Sequence, residues 1–361
     1  MNALPSAPRP KFLKRFAIAL GAALLLLAAA AGCTTVGYYS QAVRGHFALL
    51  SAARPIDDWL RDPAAPESLK QRLLRARVMR DFAVRELGLP DNGSYRGYAD
   101  LERPAVVWNL FATPELSLEL KTWCYPFFGC ATYRGYFAKD DAEGLGAELR
   151  AQSFDVNVAP VPAYSTLGWF DDPLLNTFIH YGEGELARLI FHELAHQVVY
   201  ARDDTVFNES FATTVEREGV RRWLAAQGDG ETRTAYTRFE ARRSDFLDLL
   251  LAHRKQLAAL FASTASDAEK RARKAAVFAQ LQSSYQRLKA ERWGGWSGYD
   301  RFFAQDLNTA HLAAVGAYND LVPAFERLLA GLDGDLPKFY REVAKLAALP
   351  KGERERRLNG A

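Results

Sequence analysis

Apolar residues at helical spacing dominate the second half of the chain. Phe246, Leu249, Leu250, Leu257, Leu260 and Phe261 form one stripe, and Phe278, Leu281, Tyr285 and Leu288 form another. Ser263-Thr264-Ala265-Ser266 lies between them, so the pattern predicts a long antiparallel helical hairpin. His253 falls on the first stripe and reads as a buried-edge histidine. Arg271 to Lys274 reads as a solvated face. Nearer the start, residues 38–53 read as helical. Leu69, Leu73, Val78, Phe82 and Leu87 mark an amphipathic helix from Pro66 to Leu87. The period changes between 95 and 162. Ala105 to Phe111 and Tyr133 to Phe137 are strand candidates, and Asp155 to Val158 alternates as a half-buried strand does. A helix is expected over Ala142 to Gln152. From 175 onward the helical pattern returns, with a turn at 331–336 and then a terminal helix with a charged tail. The expected fold is α+β and predominantly helical, with a small mixed sheet and a helical C-terminal part.

Within that returning pattern stands His192-Glu193-Leu194-Ala195-His196, an HExxH motif flanked by apolar residues on both sides. Residues i and i+4 share one helix face, so both imidazoles can reach one metal ion. Glu193 is then placed to act as general base on a metal-held water. The cofactor expected is Zn²⁺, on a zincin-type helix beside the small sheet. Catalytic zinc takes three protein ligands and keeps one open position. Val199 and Arg202 stand where the metzincin pattern requires Gly and His, which excludes that class. Downstream, Glu209, Thr213 and Glu216 share one face of a second helix. The segment Arg202-Asp203-Asp204-Thr205 reads as a turn in which Asp204 or Thr205 caps that helix. Glu209 is the expected third ligand, with Asp203 and Asp204 as rivals. Asn208 and Glu216 are candidates to orient the histidines from behind.

The stretch from Asn208 to Glu216 resembles the Asn-Glu-Gly-Phe-Ala…Glu helix of the aminopeptidase N family of gluzincins. That resemblance implies Glu209 as zinc ligand, with Ser210 where Gly is usual and a shorter connection from His196. Most of the chain after its leader resembles a bacterial family of lipoproteins labelled predicted aminopeptidases. The carriers are Gly32-Cys33 with Gly37-Tyr38-Tyr39, Trp123-Cys124-Tyr125-Pro126 with Gly129-Cys130, and Tyr133 to Phe137. Ala163 to Phe170 with Asp172-Pro173, the HExxH motif, and Asn308 with Tyr318 and Val322 to Phe325 complete them. Gluzincins place a sheet edge strand beside the cleft, which an extended peptide can join. Tyr164 to Phe170 occupies that place in the order of the chain. It is a candidate substrate-binding strand or loop, with Tyr164 and Gly168 as its contacts, or else a core strand followed by a turn. The family also implies a Tyr or His at the oxyanion. Tyr318 is the first candidate, with Asn308 and His311 as alternatives.

The amino terminus changes the picture of where this chemistry happens. Arg9, Lys11, Lys14 and Arg15 precede an apolar run from Phe16 to Ala31, the layout of a signal peptide. The run ends in Ala30-Ala31-Gly32-Cys33, which resembles a lipobox. The expectation is lipidation at Cys33, loss of residues 1–32, and a lipid-anchored protein facing the periplasm, with Thr34 favouring the outer membrane. Cys124 and Cys130 are the other two cysteines. In an oxidising compartment they are expected to pair, the alternative being two buried thiols. A net charge of +3 is too small to argue for nucleic acid. The remaining chain divides by pattern into an N-terminal helix and sheet region (33–174), a metal-binding helix pair (175–225) and a helical C-terminal region (226–361).

The chemistry expected is zinc-assisted hydrolysis of a peptide bond. The primary reading is an aminopeptidase on short or unfolded periplasmic peptides. The alternatives are an envelope endopeptidase and a non-catalytic lipoprotein scaffold stabilised by zinc. An aminopeptidase needs a carboxylate for the substrate ammonium. Glu183 and Glu185, just before the motif, are available for it. Oligomeric state is open.

Overall fold

The computed structural model describes residues 36–125, 129–163 and 165–360, and of residues 317–319 the backbone alone. Cys33, the leader 1–32 and Tyr164 lie outside the described residues. Residues 36–48 are helical and belong to a first unit, described by itself. Leu49–Ala361 is the second.

That second unit is predominantly helical with small sheets, as the pattern predicts. Helix α1 (Glu67–Leu87) buries Leu73, Ala76, Met79, Phe82 and Leu87 on one side. Strand β1 (Val107–Pro114) is buried along almost its whole length. It pairs antiparallel with β4 (Arg134–Tyr136) on one edge and β5 (Phe154–Val161) on the other. The near-continuous burial of β1, Asn109 and Thr113 included, follows from covering on both faces. Helix α2 (Lys139–Ala151) brings Leu149 against Leu110 and Ala112. Helix α7 (Thr309–Asn319) brings Ala310 and Ala314 against Phe111. Between β1 and β4, β2 (Trp123–Tyr125) and β3 (Gly129–Ala131) form a separate hairpin in which Cys124 is disulfide-bonded to Cys130. A second, mixed sheet joins Arg54–Pro55, Gly97–Ala99 and Leu174–Leu175, the last two parallel.

The centre of the unit is the pair α3 (Glu183–Ala195) and α4 (Thr205–Gln227). Phe191, Phe207, Phe211 and Trp223 are fully buried there, with Phe325 and Phe339 from α8 (Val322–Ala330) and α9 (Leu336–Ala347). Gly219 lets the helices approach. A Cβ there would sit 2.8 Å from both Leu87 Cδ1 and Phe191 Cδ2. The predicted hairpin is α5 (Gly230–Ala262) with α6 (Asp267–Glu291), the latter opened by a capping box between Ser266 and Glu269.

Three expectations are corrected. Arg271 and Lys274 do not merely face water. Arg271 bonds Glu115 and Lys274 pairs with Asp155, so they tie α6 to the sheet region. The charged tail is itself a helix, α10 (Lys351–Asn359), which buries Arg354 and Leu358. Of Tyr164 to Phe170, the described residues 165–170 take the loop alternative and not the strand. They form a turn with Leu167 at φ 57° and Gly168 at φ 81°. Left-handed backbone at two successive residues cannot continue a ladder.

Candidate metal centre

Helix α3 has two unlike faces. Leu186, Ala187, Ile190, Phe191 and Leu194 enter the core. Glu185, Arg188, His192, Glu193 and His196 fall on the other side, as spacing of three and four residues dictates. The helix ends at Ala195, with His196 as its C-cap. The chain then turns and re-enters as α4, whose first turns carry Glu209. Two devices fix that return. Asp204 accepts from Phe207 N as N-cap and forms a buried ion pair with Arg354 of α10. Asn208 both accepts from Ala201 N (2.7 Å) and donates to Ala201 O (2.8 Å), clamping the connection to the new helix.

The result is convergence. His192 Nε2 lies 3.3 Å from Glu209 Oε2 and 3.2 Å from His196 Nε2, and His196 Nε2 lies 3.7 Å from Glu209 Oε2. Ligand atoms of all three residues fall within 4.8 Å of one another. His192 Nδ1 is 2.8 Å from Glu216 Oε2. With its Nδ1 proton given to Glu216, a neutral His192 ring turns its Nε2 lone pair towards His196 Nε2. Two imidazole nitrogens at 3.2 Å need a proton or a cation between them. Burial alone would lower the His192 pKa. The bonds to Glu209 and Glu216 outweigh it and hold the pKa up at about 10 in the metal-free protein. Burial would likewise raise Glu209, but His196 and His192 bring it down to about 2. A proton held between an anionic oxygen and paired imidazoles is what a metal cation displaces. The donor set of two imidazoles and one carboxylate fits such an ion.

Behind the ligands the charge is balanced at depth. Glu216 is fully buried. It accepts from Arg188 Nη1 at 3.0 and 3.2 Å and stands 3.6 Å from Arg243 Nη2 of α5. Burial pushes its pKa up, and Arg188 and His192 overcome this and hold it well below the usual carboxylate range. An anion so fixed locks the His192 ring orientation. Glu193, on the open side, behaves oppositely. Burial raises its pKa, only partly offset by the two histidines. Gln197, four residues after Glu193 and just past the end of α3, donates to Ser94 Oγ at 3.1 Å and accepts from Asn92 Nδ2 at 2.7 Å.

A family model described as "Putative aminopeptidase" matches residues 37–358. The chain belongs to that family. No curated protein and no solved structure matches it. The matched range takes in the α3–α4 pair with His192, His196 and Glu209.

Within this aminopeptidase-type chain the remaining candidates separate clearly. Asp203 is used elsewhere, its carboxylate accepting from Cys130 N to hold the disulfide hairpin on the α3–α4 connection. Asp204 caps, as the turn pattern allows. Neither rival joins the ligand group, and Glu209 does. Asn208 fastens the connection and bonds the main chain, whereas Glu216 does touch His192. Asn308 caps α7 and bonds Val156 O, and His311 bonds back to Asn308 in the same cap. Both are therefore committed to docking α7 on the sheet. Tyr318 lies on α7, which packs along α4, and Leu321 N just beyond it donates to Ser210 Oγ. The Tyr318 side chain is outside the described residues. Glu183 pairs with Arg75 and accepts from Trp223 Nε1, so it is not free for an ammonium group. Gly168 lies against Gln197, where a Cβ would stand 3.5 Å from Gln197 Oε1. His253 is buried, with Nδ1 on Leu249 O, and belongs to the hairpin core.

Arg188, Arg243 and Gln197 escaped the reading of the sequence. Arg188 and Gln197 had a signal, standing four residues before His192 and four after Glu193. Arg243 had none, because its approach depends on how α5 folds back.

Proposed function

We propose that this chain is a zinc-dependent peptidase that removes residues from the free amino termini of short or unfolded peptides. We further propose that it does so in the periplasm, anchored through a lipid on Cys33. The observation that carries this reading is the convergence of His192 Nε2, His196 Nε2 and Glu209 Oε2 beside Glu193. A structural zinc site is closed by a fourth ligand and has no use for a carboxylate in that place.

His192, His196 and Glu209 would hold the ion. Bound there, zinc would supply a Lewis acid for the scissile carbonyl and lower the pKa of water. Glu193 takes the proton of the attacking water and delivers it to the leaving amine nitrogen. Burial raises its pKa, which makes it a stronger proton acceptor than an ordinary carboxylate. Glu216, held by Arg188 and Arg243, keeps His192 in one tautomer and orientation throughout. Tyr318 remains the candidate for the oxyanion.

Two variants test the assignment together. Glu193→Gln should retain zinc and fold, and lose hydrolysis by roughly 10²–10⁴-fold. Glu209→Ala should lose zinc. Substantial turnover in the first overturns Glu193 as general base, and unchanged zinc content in the second overturns Glu209 as ligand. A peptide pair with free and acetylated amino termini then reads exopeptidase against endopeptidase, by mapping the cuts.

A further inference from the structure

Among the described residues of Leu49–Ala361, four large hydrophobic side chains stand exposed, and three are aromatic: Trp169 at 77 %, Phe170 at 44 % and Tyr200 at 44 %. All three belong to segments beside the end of α3. Tyr200 follows His196 by four residues, close enough to Glu209 for that carboxylate, after partial burial, to raise the pKa of its hydroxyl. Trp169 and Phe170 lie on the turn 166–172.

That turn is a clasped loop. Thr166 N donates to Asp172 Oδ2 at 2.9 Å, Phe170 N donates to Thr166 Oγ1, and Thr166 Oγ1 donates to Phe170 O. Its base is tied to the segment 92–95 through Tyr95 N to Asp172 O and Asp172 N to Ser94 Oγ. The buried Arg80 fixes that segment by donating to the carbonyls of Pro90, Asn92 and Ser94. Both segments meet Gln197. Ser94 Oγ accepts from its amide, and the Gly168 backbone, at φ 81°, rests on its side chain. Gln197 follows Glu193 by four residues, just past the end of α3. Asp172 sits near enough for the Glu193 charge to act on it. The loop therefore borders the Glu193 side of the ligand group, with its backbone locked and Trp169 largely exposed.

We propose that this loop is a specificity platform, on which Trp169 with Phe170 receives an aromatic or large aliphatic side chain of the peptide flanking the bond that is cut. The proposal rests on the peptidase reading above and adds the substrate class to it. A rigid aromatic on a prefixed loop binds with little further loss of conformational freedom. The segment Thr166 to Asp172 contains no basic residue and ends in two aspartates, so an anionic lipid surface is a poor partner for it.

The test uses full-length, zinc-loaded protein carrying Glu193→Gln, so that binding is read without turnover. The probes are Phe-Ala-Ala-Ala, Ala-Phe-Ala-Ala and Ala-Ala-Ala-Ala, titrated calorimetrically. At least one phenylalanine peptide should bind about tenfold tighter than the alanine peptide, as an aromatic pair provides. In Trp169→Ala, or in Trp169→Ala with Phe170→Ala, that ratio should fall towards one. Equal binding of the three peptides by the parent overturns the platform, as does a ratio that survives the double variant. Quenching of Trp169 by brominated phospholipid in vesicles would also overturn it, by giving the loop to the lipid surface. Hydrolysis is scored separately on the wild-type chain. If it cleaves nothing while the phenylalanine preference depends on Trp169, the peptidase reading fails and the platform stands.

Discussion

Two antiparallel helix pairs lie in this chain, α3–α4 and α5–α6, and they spend their polar residues in opposite ways. The long hairpin α5–α6 buries few side chains. Leu250, His253 and Leu257 are the buried ones on α5, and Leu281 and Tyr285 on α6. Its charges sit mostly at the surface and pair there, as Arg271 does with Glu115. Helix α4 is shorter and buried nearly all round, including Asn208, Ser210, Thr213, Thr214 and Glu216. Polar groups in such a place are costly unless each finds a partner. Asn208 finds the Ala201 main chain, Glu216 finds two arginines and a histidine, and Ser210 receives Leu321 N. A hairpin that needs only an apolar seam tolerates ordinary polarity outside. A helix pair that must present charge at its centre needs a wall of compensating charge behind it.

The comparison is sharpest at Glu216. Replacing it by Gln removes the carboxylate that Arg188, Arg243 and His192 share, and leaves Glu240 to Arg243 and Glu209 to His192. Breaking a buried pair this way costs about 3–5 kcal/mol. Chemical denaturation of the metal-free protein should show that loss. Zinc affinity should also fall by roughly 10–100-fold, because His192 loses its orienting acceptor. A change within the range of surface substitutions would mean that α4 tolerates charge as the hairpin does.

An intermediate effect is expected at Asp172, whose carboxyl is buried next to the site. Burial, with a smaller push from Glu193, raises its pKa from 3.8 to about 6 despite the bonds from Thr166. The folded protein then binds more protons than the unfolded chain between those values. This one group therefore costs stability as pH rises through that window, and the cost is complete above about 6. Asp172→Asn keeps an acceptor for Thr166 N and removes the charge. It should gain about 1–3 kcal/mol at pH 7 and almost nothing at pH 3.5. Melting temperatures of both proteins across that range decide it. An equal difference at both ends would detach the effect from titration.

The smallest effect belongs to the hairpin. Arg271→Ala removes a half-exposed pair with Glu115, and surface pairs of this kind contribute about 0–1 kcal/mol. A loss as large as that at Glu216 would erase the contrast between the two helix pairs.

Reading the chain by pattern alone succeeded where one rule governs many residues. The α5–α6 stripes on either side of Ser263 to Ser266, and the strand expected over Ala105 to Phe111, emerge from local spacing. His192 and His196 are four apart on a helix, and Asp204 with Thr205 marks a helix start that returns Glu209. Pattern failed where a partner comes from far along the chain. Arg354 falls in the charged tail after the expected terminal helix, and its burial against Asp204 left no mark in the local pattern. Asn308 and His311 looked available for chemistry, but a capping box and the sheet claim them. Tyr164 to Phe170 has strand composition, and its described residues form a turn because Asp172 clasps Thr166 and Gly168 rests on Gln197.

By itself, the sequence determined the helical class, the hairpin, and which helix face bears His192, Glu193 and His196. These follow from intervals of three, four and two residues along one backbone. Only the tertiary structure decided that Glu209 and not Asp203 meets the histidines. It alone brought Arg243 across to Glu216 and set Trp169 in the open on the turn whose Gly168 lies against Gln197. Those placements depend on the angle at which α4 returns and on the close approach that Gly219 permits. Neither is fixed by local periodicity, because each is set by the packing of side chains from segments far apart in the chain.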